Sequence, residues 1–157
     1  RYQSDLSLPD QALLVRFMDT LDERVNAINA CGLPDTLVHG DFHSGNVRAN
    51  ADQLTLMDWG DCFIGHPLLD MTGLLERLPA GLAQIAVDSW CEAWQAYLPQ
   101  ARVYEAVQLL KPLDCLRMAV TYQHFLDHIE PAEQIYHAAD PMLQIQAALA
   151  VLGAPAA

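Results

Sequence analysis

The sequence predicts a mostly helical α+β fold with one small antiparallel β-hairpin, in a single domain that covers residues 1–157. Apolar residues recur at helical spacing near the start of the chain and again after Pro67, whereas short apolar runs flank a turn-forming segment at residues 50–53. A length of 157 residues with 52% apolar residues is enough for one hydrophobic core. A second full domain is not expected.

The first predicted element is an amphipathic helix that follows Pro9 and ends at Gly32. Pro9 suits the first turn of a helix, because its φ is already helical and its missing N–H would have no partner there. The apolar residues that follow share one helical face: Leu13, Leu14, Phe17, Met18, Leu21, Val25 and Ile28.

Short strands are predicted next, over residues 36–39, 47–49 and 54–57. The second and third flank Asn50-Ala51-Asp52-Gln53. Asn and Asp favour turns because their side chains hydrogen-bond to nearby backbone. These two strands are therefore expected to form the hairpin.

After Pro67 the sequence predicts helices separated by prolines. One ends at Pro79, a second covers residues 82–97 before Pro99, and a third begins at residue 103. Pro112 is expected to break or kink the third helix, because proline removes a backbone donor and clashes with the preceding turn. The helix resumes over residues 114–129, and a last one covers residues 142–152.

The composition argues against several classes of protein. The formal charge is −12, with seven Arg and one Lys, which disfavours nucleic acid as a partner but allows cationic ones. No apolar run approaches the roughly 20 residues of a membrane span, so no membrane association is expected. The four cysteines form no C-x-x-C pair, which favours reduced thiols in the cytoplasm.

Two polar segments carry the chemistry: His39-Gly40-Asp41-Phe42-His43-Ser44-Gly45-Asn46 and Asp58-Trp59-Gly60-Asp61. Phosphoryl transfer needs a carboxylate near the acceptor hydroxyl and oxygen ligands for Mg²⁺. Asp41 and Asn46 have the separation of the Asp and Asn in the kinase catalytic loop. The hairpin between the segments folds the chain back, so that Asn46 and Asp58 can reach one ion.

The first segment resembles the H-G-D-x-H-x-x-N catalytic loop of the aminoglycoside phosphotransferase and choline-kinase-like superfamily. The second resembles that superfamily's version of the protein-kinase D-F-G motif. Gly65-His66-Pro67-Leu68-Leu69-Asp70 is similar to its G-x-P-x-x-D-L segment, with Met71 in place of Leu. The matching covers about residues 36–72 and implies the C-terminal lobe of a protein-kinase-like fold.

The resemblance also implies roles for individual residues. Asp41 would accept or orient the proton of a small-molecule hydroxyl. Asn46 and Asp58 would bind Mg²⁺ beside ATP or GTP, and His43 would contact the γ-phosphate.

Three further positions would support the site. His39 would brace the loop backbone, and Asp61 would face the substrate or support the metal ligands. Asp70 would cap the helix after Pro67 and tie it to the loop.

The family normally places a glycine-rich flap and a strand lysine ahead of the catalytic loop. Only 38 residues precede His39, and the one lysine, Lys111, follows the metal motif. The expectation is a C-terminal lobe without the ATP-clamping lobe, inactive alone, with apolar surface that promotes self-association. Either the chain is a piece of a longer enzyme, as Arg1 in place of Met favours, or it is a short protein that has lost catalysis.

Several alternatives remain open. The stretch from Met118 to the end has no Lys or Arg. Its acidic residues would either attract a cationic acceptor or form an ordinary solvated surface. A metal-dependent hydrolase could use His39, Asp41, His43 and Asp58 as ligands, and His124, Asp127 and His128 share one helix face. A non-catalytic, kinase-like binding module is the third reading.

Overall fold

The structure is a computed structural model that describes residue 2 and residues 5–153, and it is 64% helical. The helices are accompanied by short antiparallel strands, which confirms the α+β class. The chain divides into two compact units, one formed by residues up to 26 and from 109 onward, the other by residues 27–108. The single domain stays a prediction.

In the unit formed by the chain ends, α1 (Leu8–Asp19) packs against α7 (Asp140–Leu152). Ser7 caps α1, because its hydroxyl oxygen accepts a hydrogen bond from the N–H of Asp10 at 3.3 Å. The short helix α6 (Pro131–His137) was not predicted from the sequence. It contains no buried residue, so it has no apolar face that a periodic pattern could reveal.

The prediction of one unbroken helix up to Gly32 is wrong, because the chain forms two helices, α1 and α2 (Leu21–Asn29). Thr20 lies between them with φ of −107° and ψ of 16°. Its hydroxyl donates to the carbonyl oxygens of Arg16 and Phe17, each at 3.1 Å. This side-chain bonding competes with the continuing helical ladder and ends α1.

The predicted hairpin is confirmed as β2 (Val47–Ala49) and β3 (Leu54–Leu56), with Val47 opposite Leu56. Asn50 closes its turn, because the side-chain oxygen accepts hydrogen bonds from the N–H groups of Asp52 and Gln53. The hairpin therefore has a fixed register, which sets the positions of the residues just outside it.

A second antiparallel pair was only half predicted. β1 (Thr36–Val38) pairs with β4 (Phe63–Gly65), with Thr36 opposite Gly65 and Val38 opposite Phe63. β4 is three residues long, and its partner lies far away in sequence. This pair encloses the hairpin and both polar segments between its strands.

The remaining helices are α3 (Leu69–Glu76), α4 (Ala80–Tyr97) and α5 (Val103–His128), and α3 packs against α4. Of the break or kink predicted at Pro112, the break is wrong, because α5 continues through this residue, and the kink stays a prediction. Leu110, Pro112 and Cys115 are all buried. Their burial offsets the roughly 3 kcal/mol that an interior proline costs. Within the described part of the chain, no helix combines the length and apolar character needed to cross a membrane.

Candidate active site

The segment from His39 to Asn46, here called the 39–46 loop, leaves β1 through a left-handed turn at Gly40. Gly40 has a φ of +87°, and a Cβ atom there would lie 2.3 Å from the backbone oxygen of Asp61. Glycine alone combines this backbone conformation with such a close approach. The turn therefore places the 39–46 loop directly against residues 58–61, here called the 58–61 segment.

Asp70 holds the start of this loop. Its Oδ2 accepts a hydrogen bond from the N–H of His39 at 2.7 Å, and its Oδ1 accepts one from the N–H of Gly40 at 2.9 Å. The predicted N-cap role of Asp70 is wrong, because the N-cap of α3 is Leu68 and makes no side-chain cap bond. The carboxylate accepts hydrogen bonds from the loop backbone and does not cap α3.

Replacing Asp70 by Asn is expected to lower the free energy of unfolding by about 2–3 kcal/mol, because an amide offers one acceptor where two backbone N–H groups need one each. Urea denaturation of the purified chain measures this change. Asp22→Asn is the matched control, since Asp22 is likewise a carboxylate in the first turn of a helix but is exposed to solvent. Equal effects of the two substitutions would contradict the bonding role of Asp70 in the loop.

The imidazole of His39 bonds to the 39–46 loop and to the residue just before the 58–61 segment. Nε2 lies 2.8 Å from the carbonyl oxygen of Met57, and Nδ1 accepts from the N–H of Asp41 at 3.3 Å. Because a carbonyl can only accept, the ring proton lies on Nε2. The ring of Trp59 contacts the imidazole with centroids 4.7 Å apart, and His39 is only 1% exposed. Both ring nitrogens of His39 are therefore engaged with backbone.

Asp41, His43 and Asn46 form one hydrogen-bonded cluster. The Nδ2 of Asn46 donates to Asp41 at its backbone oxygen (3.0 Å) and at Oδ2 (3.1 Å). The Nε2 of His43 lies 3.3 Å from the same Oδ2. Both side-chain donors thus use one oxygen of Asp41, and the Asp41 side chain is 45% exposed. Its Oδ1 makes no hydrogen bond with other residues that the structure describes.

The ring of His43 is fixed by the turn that follows it. Nδ1 accepts a hydrogen bond from the N–H of Gly45 at 3.0 Å, at the start of a 3₁₀ turn, Ser44–Asn46. Since Nδ1 accepts, the neutral ring carries its proton on Nε2, where it can donate to Asp41. A Cβ at position 45 would lie 2.6 Å from the ring, so a side chain there would displace the imidazole of His43 from this position.

The hairpin carries the chain from Asn46 to Asp58. Its ladder extends by one bond, from the N–H of Met57 to the carbonyl oxygen of Asn46 at 2.9 Å. Asp58 follows directly and has a φ of +63°, a left-handed conformation that Asp tolerates better than most residues. This register places Asn46 and Asp58 at the same end of the hairpin.

The 58–61 segment ends in a turn in which the N–H of Cys62 donates to the carbonyl oxygen of Trp59 at 3.2 Å. Asp58 and Asp61 are exposed, and neither carboxylate makes a hydrogen bond with other described residues. The carbonyl of Asp61, rather than its carboxylate, faces Gly40. The carboxylates of this segment are thus available to ligands.

Asn46 and Asp58 fit a Mg²⁺ site in chemical terms. Because the Nδ2 of Asn46 donates to Asp41, the amide oxygen is the remaining acceptor of that side chain. An amide oxygen and a carboxylate are hard donors of the kind that Mg²⁺ prefers, with phosphate and water completing the shell. These residues would hold the ion, which would neutralise charge on the nucleotide phosphates.

The hydrolase alternative receives no support from the geometry. It needs His39 as a metal ligand, but backbone groups engage both nitrogens of that ring. Among the described residues, no group of three or more His, Cys, Asp or Glu side chains is arranged to hold a metal ion.

His66 lies buried behind the site, between β4 and α3. Its Nδ1 accepts a hydrogen bond from the N–H of Leu68 at 3.3 Å, and its Nε2 is buried without a partner among the described residues. Burial lowers the pKa of His66, and the nearby Asp35 only partly opposes this effect. The folded protein therefore favours the neutral imidazole.

This lowered pKa predicts an acid-sensitive fold. Below the ordinary histidine pKa of about 6.5, the unfolded chain binds a proton at His66 more readily than the folded chain does, so stability falls as pH falls. His66→Asn should keep an acceptor for Leu68 without titrating. Denaturation between about pH 7 and pH 5 should show a smaller loss of stability in the variant. Parallel pH profiles of the two proteins would contradict the prediction.

The chain matches the family model of the phosphotransferase enzyme family, APH, over residues 1–110. This match covers more than half of the chain, so the protein belongs to that family. The family resemblance drawn from the sequence is thereby confirmed. No curated protein and no solved structure matches the chain.

Sequence reasoning missed the contacts that Trp59 and Arg48 make at the site. Trp59 covers His39, and its Nε1 donates to the carbonyl oxygen of Leu56 at 3.1 Å. Arg48 donates from one guanidinium nitrogen to the carbonyl oxygen of Gly45 at 2.8 Å. The position of Arg48 in the predicted strand at residues 47–49, two residues after Asn46, is the signal that could have pointed to it.

Proposed function

We propose that the chain forms the catalytic lobe of an enzyme that transfers the γ-phosphoryl group of ATP to a hydroxyl of a small molecule. The observation that carries this proposal is the Asp41, His43 and Asn46 cluster, together with the hairpin that brings Asp58 to the same place. Membership of a phosphotransferase family supports the reaction class.

Asp41 is the proposed base. His43 and Asn46 both donate to Oδ2, which leaves Oδ1 to accept the proton of the substrate hydroxyl. As the hydroxyl oxygen bonds to the γ-phosphorus, the bond from phosphorus to the bridging oxygen breaks, and ADP leaves with that electron pair. The proton of the hydroxyl passes to Asp41.

Asn46 and Asp58 are proposed to hold Mg²⁺ beside the nucleotide. His43 is proposed to hold Asp41 in the ionised, correctly oriented state and to face the γ-phosphate from the same ring. GTP is the alternative donor, and the two nucleotides are distinguished by comparing their kcat/KM values.

The acceptor is proposed to be a small alcohol that carries positive charge. The chain has a formal charge of −12, and no Lys or Arg occurs from Met118 to its end, so a cation gains free energy by approaching this surface. A lobe that clamps the nucleotide is proposed to complete the site, because no glycine-rich flap or lysine precedes His39 in the printed sequence.

Asp58→Asn tests the metal role. Asn tolerates the left-handed backbone of position 58 but lacks the negative charge of Asp. We therefore expect kcat to fall about 100-fold or more, and the Mg²⁺ concentration that gives half-maximal activity to rise. The assay measures ADP release by the complete gene product over a Mg²⁺ titration. Asp52→Asn, an exposed change in the hairpin turn, is the control.

The outcome separates the proposed functions. Unchanged Mg²⁺ dependence in Asp58→Asn would remove Asp58 from the metal site. Tightly bound zinc and hydrolysis without ATP would favour a hydrolase, and the absence of any turnover with an intact fold would favour a binding module.

A further inference from the structure

Two histidines that the phosphotransferase site does not use lie together at the end of α5. His124 and His128 are one helical turn apart, and both are exposed. Their ring centroids are 4.2 Å apart, and the ring planes differ by 31°. Spacing of this kind brings two imidazoles to one small region of surface.

We propose that His124 and His128 form a binding site for a late first-row divalent cation such as Ni²⁺, Cu²⁺ or Zn²⁺. Imidazole nitrogen suits these ions, whereas Mg²⁺ prefers oxygen ligands. The site is therefore separate in chemistry from the one assigned to Asn46 and Asp58, and it does not depend on the proposed phosphotransferase activity.

The orientation of His128 supports this assignment. Its Nδ1 lies 2.7 Å from the carbonyl oxygen of His124, and because a carbonyl can only accept, Nδ1 carries the proton. Nε2 of His128 is then the nitrogen with a free lone pair. Histidines that bind metals commonly donate their other N–H to a carbonyl or carboxylate in this way, which fixes the tautomer and the ring orientation.

The distance between the rings also suits a shared ion. Two bonds of about 2.1 Å from a tetrahedral ion to imidazole nitrogens separate those nitrogens by about 3.4 Å. The ring centroids are 4.2 Å apart, so the two imidazoles already lie side by side, and χ rotations of the two exposed side chains would bring one nitrogen of each ring to that separation. In the described part of the chain no third His, Cys, Asp or Glu side chain completes a larger cluster, so water would occupy the remaining positions.

The surrounding charge favours a cation. Asp127 lies between the two histidines in sequence and accepts a hydrogen bond from the Nε2 of Gln123 at 2.7 Å. No Lys or Arg follows Arg117 in the chain. A bound ion would join the last turn of α5 across its outer face, and mass action would then stabilise the folded state.

Calorimetric titration of the untagged chain with Ni²⁺ tests the proposal. We expect one ion per chain, and either His124→Gln or His128→Gln should weaken binding roughly tenfold or more, because chelation by two linked ligands is lost. His137→Gln is the matched control, since it removes a histidine that pairs with Asp140 at 2.9 Å and leaves the chelating pair intact.

Two further measurements make the result decisive. Electron paramagnetic resonance of bound Cu²⁺ should show two nitrogen ligands in the native chain and one in each single variant. Ni²⁺ should raise the thermal midpoint of the native chain and leave that of the double variant unchanged. Single variants that bind as tightly as the native chain, or a Ni²⁺ site lost only in His137→Gln, would overturn the proposal.

Discussion

Asp41→Asn is expected to reduce phosphoryl transfer by the complete gene product about 10²- to 10⁴-fold, with the fold retained. Asn matches Asp in shape, so it can still accept a hydrogen bond from Asn46 or His43. It cannot take the proton from the substrate hydroxyl, because a neutral amide is not a base near neutral pH. The loss should therefore appear in kcat, with a smaller change in the KM of the acceptor.

Steady-state ADP release measures this effect, and urea denaturation of the same variant shows whether the fold is intact. Asp52→Asn removes a carboxylate from the hairpin turn and should leave turnover near the native value. Native turnover in Asp41→Asn would contradict the role of Asp41 as the base. It would favour the alternative that the protein is a non-catalytic binding module.

Gly40→Ala is expected to have the largest effect on stability. Its Cβ would meet the Asp61 oxygen at 2.3 Å, and a φ of +87° is strained for any residue with a side chain. The close contact is with backbone, which cannot move aside as a flexible side chain could. We expect the free energy of unfolding to fall by about 2–4 kcal/mol, because backbone strain and overpacking add.

The matched control is Gly81→Ala, at the start of α4. A Cβ at Gly81 has no heavy atom within 4 Å, so the change should be neutral or stabilising by up to about 1 kcal/mol. Both variants are compared by urea denaturation and by turnover. If Gly40→Ala were as stable as Gly81→Ala, the 39–46 loop and the 58–61 segment could not be packed as the structure has them.

Local signals predicted the hairpin well, because the turn at Asn50 and the apolar runs beside it act within a few residues. Nonlocal pairing was harder to predict. β4 has only Phe63, Ile64 and Gly65, too short a run for a periodic pattern, and it forms only because β1 is there to receive its hydrogen bonds. The break between α1 and α2 at Thr20 was missed because the helical spacing of apolar residues continues on both sides of it. The hydroxyl of Thr20 ends the series of helical backbone hydrogen bonds, and the apolar pattern does not reveal this.

At Pro112, the low helix propensity of proline does not predict the observed structure. The sequence predicts a break or a kink there, but α5 is unbroken, because the residues around Pro112 are buried and their packing stabilises the helix. In the site, residue types and spacing singled out Asp41, Asn46 and Asp58 as candidates, and the family resemblance implied that Asp70 ties α3 to the loop. Neither predicted that Asp70 accepts from the N–H groups of both His39 and Gly40, or that His43 contacts Asp41. Such partners depend on side-chain directions that only the folded chain fixes.

The pairing of β1 with β4 has a consequence for how this family can vary. Thr36 and Gly65 lie side by side, so the thirty residues from one to the other begin and finish at the same point in space. A stretch with adjoining ends can keep its internal geometry when helices beyond α3 change in length, whereas the start of α3 is fixed to it by the two hydrogen bonds of Asp70. Changes in the length of those later helices are therefore expected to leave the loop and the hairpin in place.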